Sequence, residues 1–137
     1  MTSSPTTFYS ASAGSGKTYT LARDYLTLLF KSQFNNHYRK ILAVTFTNKA
    51  VAEMKERVLE HLYNFGKQSI PDSSLGIFDH IKKVTGLNDD QLTKRATIIH
   101  QRLLHDYSAF DIVTIDAFNH RILRTLQKTL ICPLDLK

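Results

Sequence analysis

A short apolar run at Phe8 and Tyr9 is followed by Ala11-Ser12-Ala13-Gly14-Ser15-Gly16-Lys17-Thr18, and a helical pattern over Tyr19 to Phe30 opens directly behind it. Strand, glycine-rich turn and helix in immediate succession constrain the fold more than any other feature, because this order builds a phosphate loop. Gly14 and Gly16 lack Cβ atoms, so the backbone can wrap closely on an anion with its N–H groups pointing inward. The helix start adds unsatisfied N–H groups and the positive end of its dipole. Lys17 is then placed to reach the β- and γ-phosphates of a nucleoside triphosphate, and the Thr18 hydroxyl to ligate Mg²⁺. All eight residues, Ala11, Ser12, Ala13, Gly14, Ser15, Gly16, Lys17 and Thr18, are candidate contacts for ATP. Ala11 stands where the general pattern has glycine, and the competing reading is a flexible turn before a helix.

The 137 residues fit one small domain with a real core, and a 42% hydrophobic content is ordinary for a globular chain. A formal charge of +6 favours a polyanionic partner, but the 18 basic residues are spread along the sequence, as on any solvated basic surface. Cys132 is the single cysteine, so no internal disulfide forms. Neither a secretory segment nor an apolar span long enough for a membrane is present, and the expected setting is soluble and cytoplasmic, with no membrane partner. His100 and His105 are five apart, on different faces of a helix, and no cysteine lies near them; metal binding through histidine is not expected.

Met1 to Thr7 is a polar lead-in. Leu21, Tyr25, Leu28 and Leu29 recur at helical spacing, which predicts a helix packed by one face on a sheet. Ile41, Leu42, Ala43, Val44 and Phe46 form the near-continuous apolar run of a parallel strand buried on both faces. A second helix begins near Asn48, with Val51, Met54, Val58 and Leu62 on its stripe and Lys55 exposed. A loop from Gly66 to Ser74 contains Pro71, and a helical pair follows. Its second member starts at a capping box, Asn88 with Gln91, and carries Leu92, Ala96, Ile99 and Leu103. Ile112 to Ile115 reads as another strand, and Phe118, Ile122 and Leu126 mark a last helix. This order predicts an α/β domain with parallel strands.

Two further segments carry chemistry. Thr45, Phe46, Thr47, Asn48 and Lys49 lie where a strand hands over to a helix, on the ligand side of an open parallel sheet. An aromatic ring, hydroxyls, an amide and a lysine at a helix start can stack on a base and hold a backbone phosphate. Equally, Phe46 can be core and Asn48 an N-cap. Asp111 to Phe118 offers Asp116 as a Mg²⁺-holding acid at a strand end. Otherwise Thr114 and Phe118 belong to a second nucleic-acid-facing loop, with Asp116 capping the helix.

Ala11 to Thr18 taken with Ile41 to Val58 (Ile-Leu-Ala-Val-Thr-Phe-Thr-Asn-Lys-Ala-Val-Ala-Glu-Met-Lys-Glu-Arg-Val) closely resembles motifs I and Ia of superfamily 1 DNA helicases of the UvrD/RecB type. That family also accepts alanine at the first motif position. Thr114 to Phe118, continuing through His120-Arg121-Ile122-Leu123, is similar to the family's next element, where histidine is more usual than Asp116. The long helical insert, about 66–110, looks more like the RecB and AddA branch, whose members work in double-strand break repair. The resemblance implies a three-layer phosphate-loop NTPase (RecA-like) domain, a parallel sheet flanked by helices. It implies that Lys17 and Thr18 bind ATP and Mg²⁺, that Phe46, Thr47 and Asn48 line a single-stranded DNA track, and that Arg121 attracts phosphate; Thr45, Lys49, Thr114 and Phe118 join them as candidate contacts to single-stranded DNA or a single-strand/duplex junction on their own chemistry.

The family hydrolyses ATP with an Asp-Glu pair at the end of a buried strand and with arginines from a second RecA-like domain. This sequence has no Asp-Glu pair, and its adjacent acids, Asp89 and Asp90, sit at a predicted helix start. No glutamine precedes Ala11 to match the family's adenine contact. The resemblance therefore implies an incomplete, amino-terminal part of domain 1A of a larger motor, binding nucleotide and DNA without efficient turnover. The rest of the helicase chain and a nuclease or recombination subunit are the implied partners. The competing functions are a self-contained small phosphate-loop kinase or nucleotide switch using Asp116 for Mg²⁺, and a non-enzymatic remnant domain that binds a partner protein.

Overall fold

The computed structural model describes residues 15–135, with side chains over 16–130. The expected first strand around Phe8 and Tyr9 and the loop residues Ala11, Ser12, Ala13 and Gly14 lie outside the described residues.

Helix α1 spans Ser15–Lys31 and buries Ala22, Tyr25, Leu26, Leu29 and Phe30. The stripe is centred differently from the expected one. Leu21 and Leu28, seven apart, fall on a neighbouring face, and Leu28 is left exposed. Among the described residues α1 packs chiefly on helices α2 (Asn48–Phe65) and α3 (Asp72–Thr85), and these decide which face is buried.

Helix α2 is started by Thr47, whose Oγ1 accepts the Ala50 N–H at 3.0 Å. Asn48 is the first helical residue, not the cap. Met54, Val58, Leu62 and Phe65 form the buried stripe. Lys55 departs from the expected exposure: its Nζ sits 4.6 Å from the Tyr107 ring centroid and 5.6 Å from that of Phe110, and its stem is partly covered.

The loop after α2 is shorter than expected, because α3 begins at Asp72 and takes Ser74 into its first turn. There the Ser74 hydroxyl, fully buried, accepts from Asn64 Nδ2 at 2.9 Å and hydrogen-bonds His61 Nδ1 at 2.8 Å. This network pins α3 to α2. Gly86 ends α3 in the left-handed region (φ 74°) and its N–H reaches the Lys82 carbonyl at 2.8 Å, a role that favours glycine.

Helix α4, Asp89–His105, starts at the capping box read in the sequence, with Gln91 N–H donating to Asn88 Oδ1 and Asn88 N–H to Gln91 Oε1. Its buried residues are the expected Leu92, Ala96, Ile99 and Leu103. α4 packs along α2, and rings of Phe30, Phe65 and Phe78 meet at centroid distances of 6.3 and 5.3 Å where α1, α2 and α3 converge.

Two short strands, β1 (Ala43–Thr45) and β2 (Ile112–Thr114), pair in parallel with Ala43 opposite Ile112, Val44 opposite Val113 and Thr45 opposite Thr114. The parallel direction is as expected, but the length and burial of β1 are not. Leu42 and Val44 are exposed and the neighbouring Ala43 and Thr45 partly covered, so β1 presents one covered face among the described residues. Ile115, expected in the strand, begins helix α5 (Ile115–Asp135), and no loop intervenes. The described residues thus form a helix-rich α/β fold around a small parallel sheet.

Candidate functional site

The parallel pairing brings the ends of β1 and β2 to one edge, with Thr45 directly opposite Thr114. Each strand hands over to a helix at that edge, and each helix is started by a threonine. Thr47 Oγ1 accepts from Ala50 N, and Thr114 Oγ1 accepts the Ala117 N–H at 3.2 Å. A hydroxyl that accepts in this way keeps its own proton for another partner. The helix starts that follow the paired strand ends point their positive dipole ends toward that edge, and at α5 the first-turn Asp116 offsets part of it.

Between β1 and α2 stands Phe46, 82% exposed, followed by the exposed Asn48 and Lys49. A phenylalanine 82% exposed at a strand end is not core, so that one of the two readings falls away. The first turn of α2 has no acidic residue, whereas that of α5 contains the exposed Asp116. Asp116 does not cap α5; Thr114 does. Phe118, one turn further, is partly buried.

Arg121 lies elsewhere. Its Nη1 donates to Asp111 Oδ1 and Oδ2 at 2.9 and 2.8 Å, and Asp111 immediately precedes β2. α5 thus runs back along β2, and Arg121 is level with the strand's start rather than with the Thr45–Thr114 edge. The carboxylate raises the guanidinium above its ordinary range by hydrogen bonding and by charge. Its charge is answered within the chain. Sequence reading missed Asp111 as its partner, and no local signal marks two residues ten apart across a strand-to-helix reversal.

Of the glycine-rich loop, Gly16, Lys17 and Thr18 occupy the first turn of α1, while Ser15 is described by its backbone alone. Lys17 and Thr18 are partly exposed. No acidic side chain stands in this turn, and a Cβ on Gly16 would meet nothing within 4 Å. The Thr20 hydroxyl donates to the Gly16 carbonyl at 2.9 Å and steadies the turn. An acid-free helix start carrying a lysine fits a phosphate. Among the described residues, no group of three or more His, Cys, Asp or Glu side chains could hold a metal ion. No helix there is long and apolar enough to cross a membrane.

A lysine and a threonine open one helix, and two threonine-capped helix starts follow paired strand ends. The model of the UvrD/REP helicase N-terminal domain matches residues 2–132, and the chain belongs to that family. It is 33% identical over 124 residues to the RecBCD enzyme subunit RecB of Buchnera aphidicola, covering 83% of this chain and 10% of that protein. Over 57 residues it is 47% identical to the RecBCD enzyme subunit RecB of Haemophilus influenzae, covering 38% of this chain and 5% of that one. Over 48 residues it is 54% identical to the ATP-dependent DNA helicase UvrD1 of Mycobacterium leprae, covering 35% and 6%. The chain spans 10% or less of the length of these relatives. No solved structure matches it.

Proposed function

We propose that this chain is the ATP-binding and single-stranded-DNA-contacting part of an ATP-dependent DNA helicase of the RecB and AddA kind, acting in recombination or double-strand break repair. The single observation that carries the reading is the Thr45–Thr114 register. It joins two segments, distant in the chain, into one edge that displays an unburied phenylalanine. Phe46 stacks on a base, while Thr47, Asn48, Lys49, Thr45 and Thr114 approach the sugar-phosphate backbone. Phe118 supports the edge from α5. Arg121, held by Asp111, contributes to DNA only at the far end of β2.

Ala11 to Lys17 cradle the triphosphate, and Thr18 ligates Mg²⁺, which offsets phosphate charge when bound. Support comes from the family match and from the acid-free first turn of α1. In this reading residues 1–137 belong to the first RecA-like, three-layer domain, and about 66–110, with α3 and α4, form its helical insert. The sequence contains no Asp-Glu pair to drive hydrolysis. The segment grips nucleotide and DNA, and turnover and unwinding belong to the whole motor, together with a nuclease or recombination subunit.

Titration of a fluorescent single-stranded oligonucleotide, followed by anisotropy, tests the DNA edge. Phe46→Ala is expected to lose about 1–3 kcal/mol of binding free energy, the range of one stacked base. Wild-type affinity in that variant would remove the stacking role.

A further inference from the structure

Gly76 stands in the interior of α3, where glycine is among the poorest helix formers and no turn calls for it. Its surroundings supply the reason. A Cβ placed on Gly76 would lie 3.1 Å from Tyr19 Oη. Tyr19 follows Thr18 directly, one turn into α1, and α1 packs along α3. At that distance the neighbour must give by a few tenths of an ångström, and the Tyr19 hydroxyl moves only together with its 38% exposed ring. The glycine therefore leaves a seat on α3 for the side chain next to the phosphate-loop lysine and threonine.

We propose, on the reading that Lys17 and Thr18 hold nucleotide, that Gly76 and Tyr19 are positioning residues: α3 acts as a buttress that sets the pose of the first turn of α1. Neither residue touches nucleotide. The contact makes a helix of the insert part of the support of the nucleotide site. A change on α3 reaches Lys17 through one side chain, two residues away in the same helical turn. The Thr20–Gly16 hydrogen bond spans the turn that carries Lys17, Thr18 and Tyr19, and ties its two ends together.

The test separates folding from positioning, because Gly76→Ala should favour the helix while disturbing the seat. In the full chain, Gly76→Ala is expected to keep or raise the thermal midpoint and to weaken binding of a fluorescent ATP analogue by about threefold, an effect typical of touching residues. Amide exchange of residues 19–22, whose N–H groups bond within α1, should quicken in the nucleotide-free chain. Adding Tyr19→Phe, which removes the crowded hydroxyl, should restore both. Tyr19→Leu, which empties the seat without altering α3, should weaken nucleotide by about tenfold, and it carries the test if Gly76→Ala does not fold. Wild-type nucleotide binding and exchange in Gly76→Ala or in Tyr19→Leu would overturn the buttress, as would a double variant that restores nothing. A wild-type chain that binds no nucleotide would overturn the phosphate-loop reading itself, whereas normal wild-type binding with insensitive variants would remove the buttress alone.

Discussion

Arg95 Nη2 donates to the Ser32 carbonyl at 2.6 Å, so a side chain of α4 closes the C-terminal end of α1. Nη1 reaches the Phe30 carbonyl at 3.1 Å and Nε reaches Asn35 Oδ1 at 2.9 Å, while the guanidinium lies 5.4 Å from the Phe30 ring centroid. The last carbonyls of a helix have no partner within it, and a planar fork can answer two at once. Arg95→Ala is expected to lower the unfolding free energy by about 2 kcal/mol, the scale of hydrogen bonds made by a charged group. Arg95→Lys should recover less than half of that loss, because an ammonium lacks the fork. Urea unfolding of the three proteins measures it, and equal stability would show that the clamp contributes nothing.

Burial pushes the His61 imidazole below its ordinary value of 6.5, with Glu60 opposing and Arg57 adding to the effect. His100 is lowered by burial as well. Near neutral pH both rings are neutral in the fold. As pH falls through 6.5 the unfolded chain takes up protons before the folded one does, so stability present above that value is lost progressively toward the lower folded values. Asp24, raised by burial against the opposing charges of His80 and Lys31, works in the opposite direction at more acid pH. Unfolding free energy should therefore decline from pH 7 to about pH 5.5, and His61→Gln should flatten the decline. An unchanged slope in the variant would assign the pH dependence elsewhere.

Thr47 and Asn48 are neighbours with different duties. Thr47→Ala removes the N-cap of α2 and is expected to cost about 1 kcal/mol in chemical denaturation. Asn48→Ala, at an exposed first helical position, should stay within about 0.5 kcal/mol of wild type. The reverse ranking would move the cap to Asn48.

Lys17→Ala is expected to weaken binding of a triphosphate nucleotide by at least about tenfold, since a charge-assisted contact contributes about 1.5–3 kcal/mol. Fluorescence titration with and without Mg²⁺ gives the number. Affinity unchanged by the substitution would exclude the lysine from the phosphate site.

Local features were legible in the sequence and distant ones were not. The α4 capping box depends on Asn88 and Gln91 alone, and its stripe from Leu92 to Leu103 repeats without competitors, so both were readable. In α1, Leu21 and Leu28 are as apolar as Ala22 and Leu26, and only the positions of α2 and α3 decide which face is buried. Hydropathy exposed the strand around Val44 but overstated its burial, because an apolar run does not reveal how many layers cover it. At the candidate site, the Thr45 to Lys49 segment was legible as chemistry. Its union with Thr114 needed the register, and the removal of Arg121 from that edge needed the reversal of α5 along β2. Thr47 and Asn48 are both good caps, and spacing alone could not choose between them.

The pairing of Thr45 with Thr114 also orders the assembly of the molecule in time. Contacts within and between successive helices form over short stretches of chain, whereas the two strands meet only after α2, α3 and α4 have been threaded between them. Ladders of this kind close late, because the entropy of a long loop must be overcome before the first strand bond forms. The edge is accordingly expected to close after the helices, and a lesion in the α2–α4 packing to slow its formation in stopped-flow refolding without touching one of its residues.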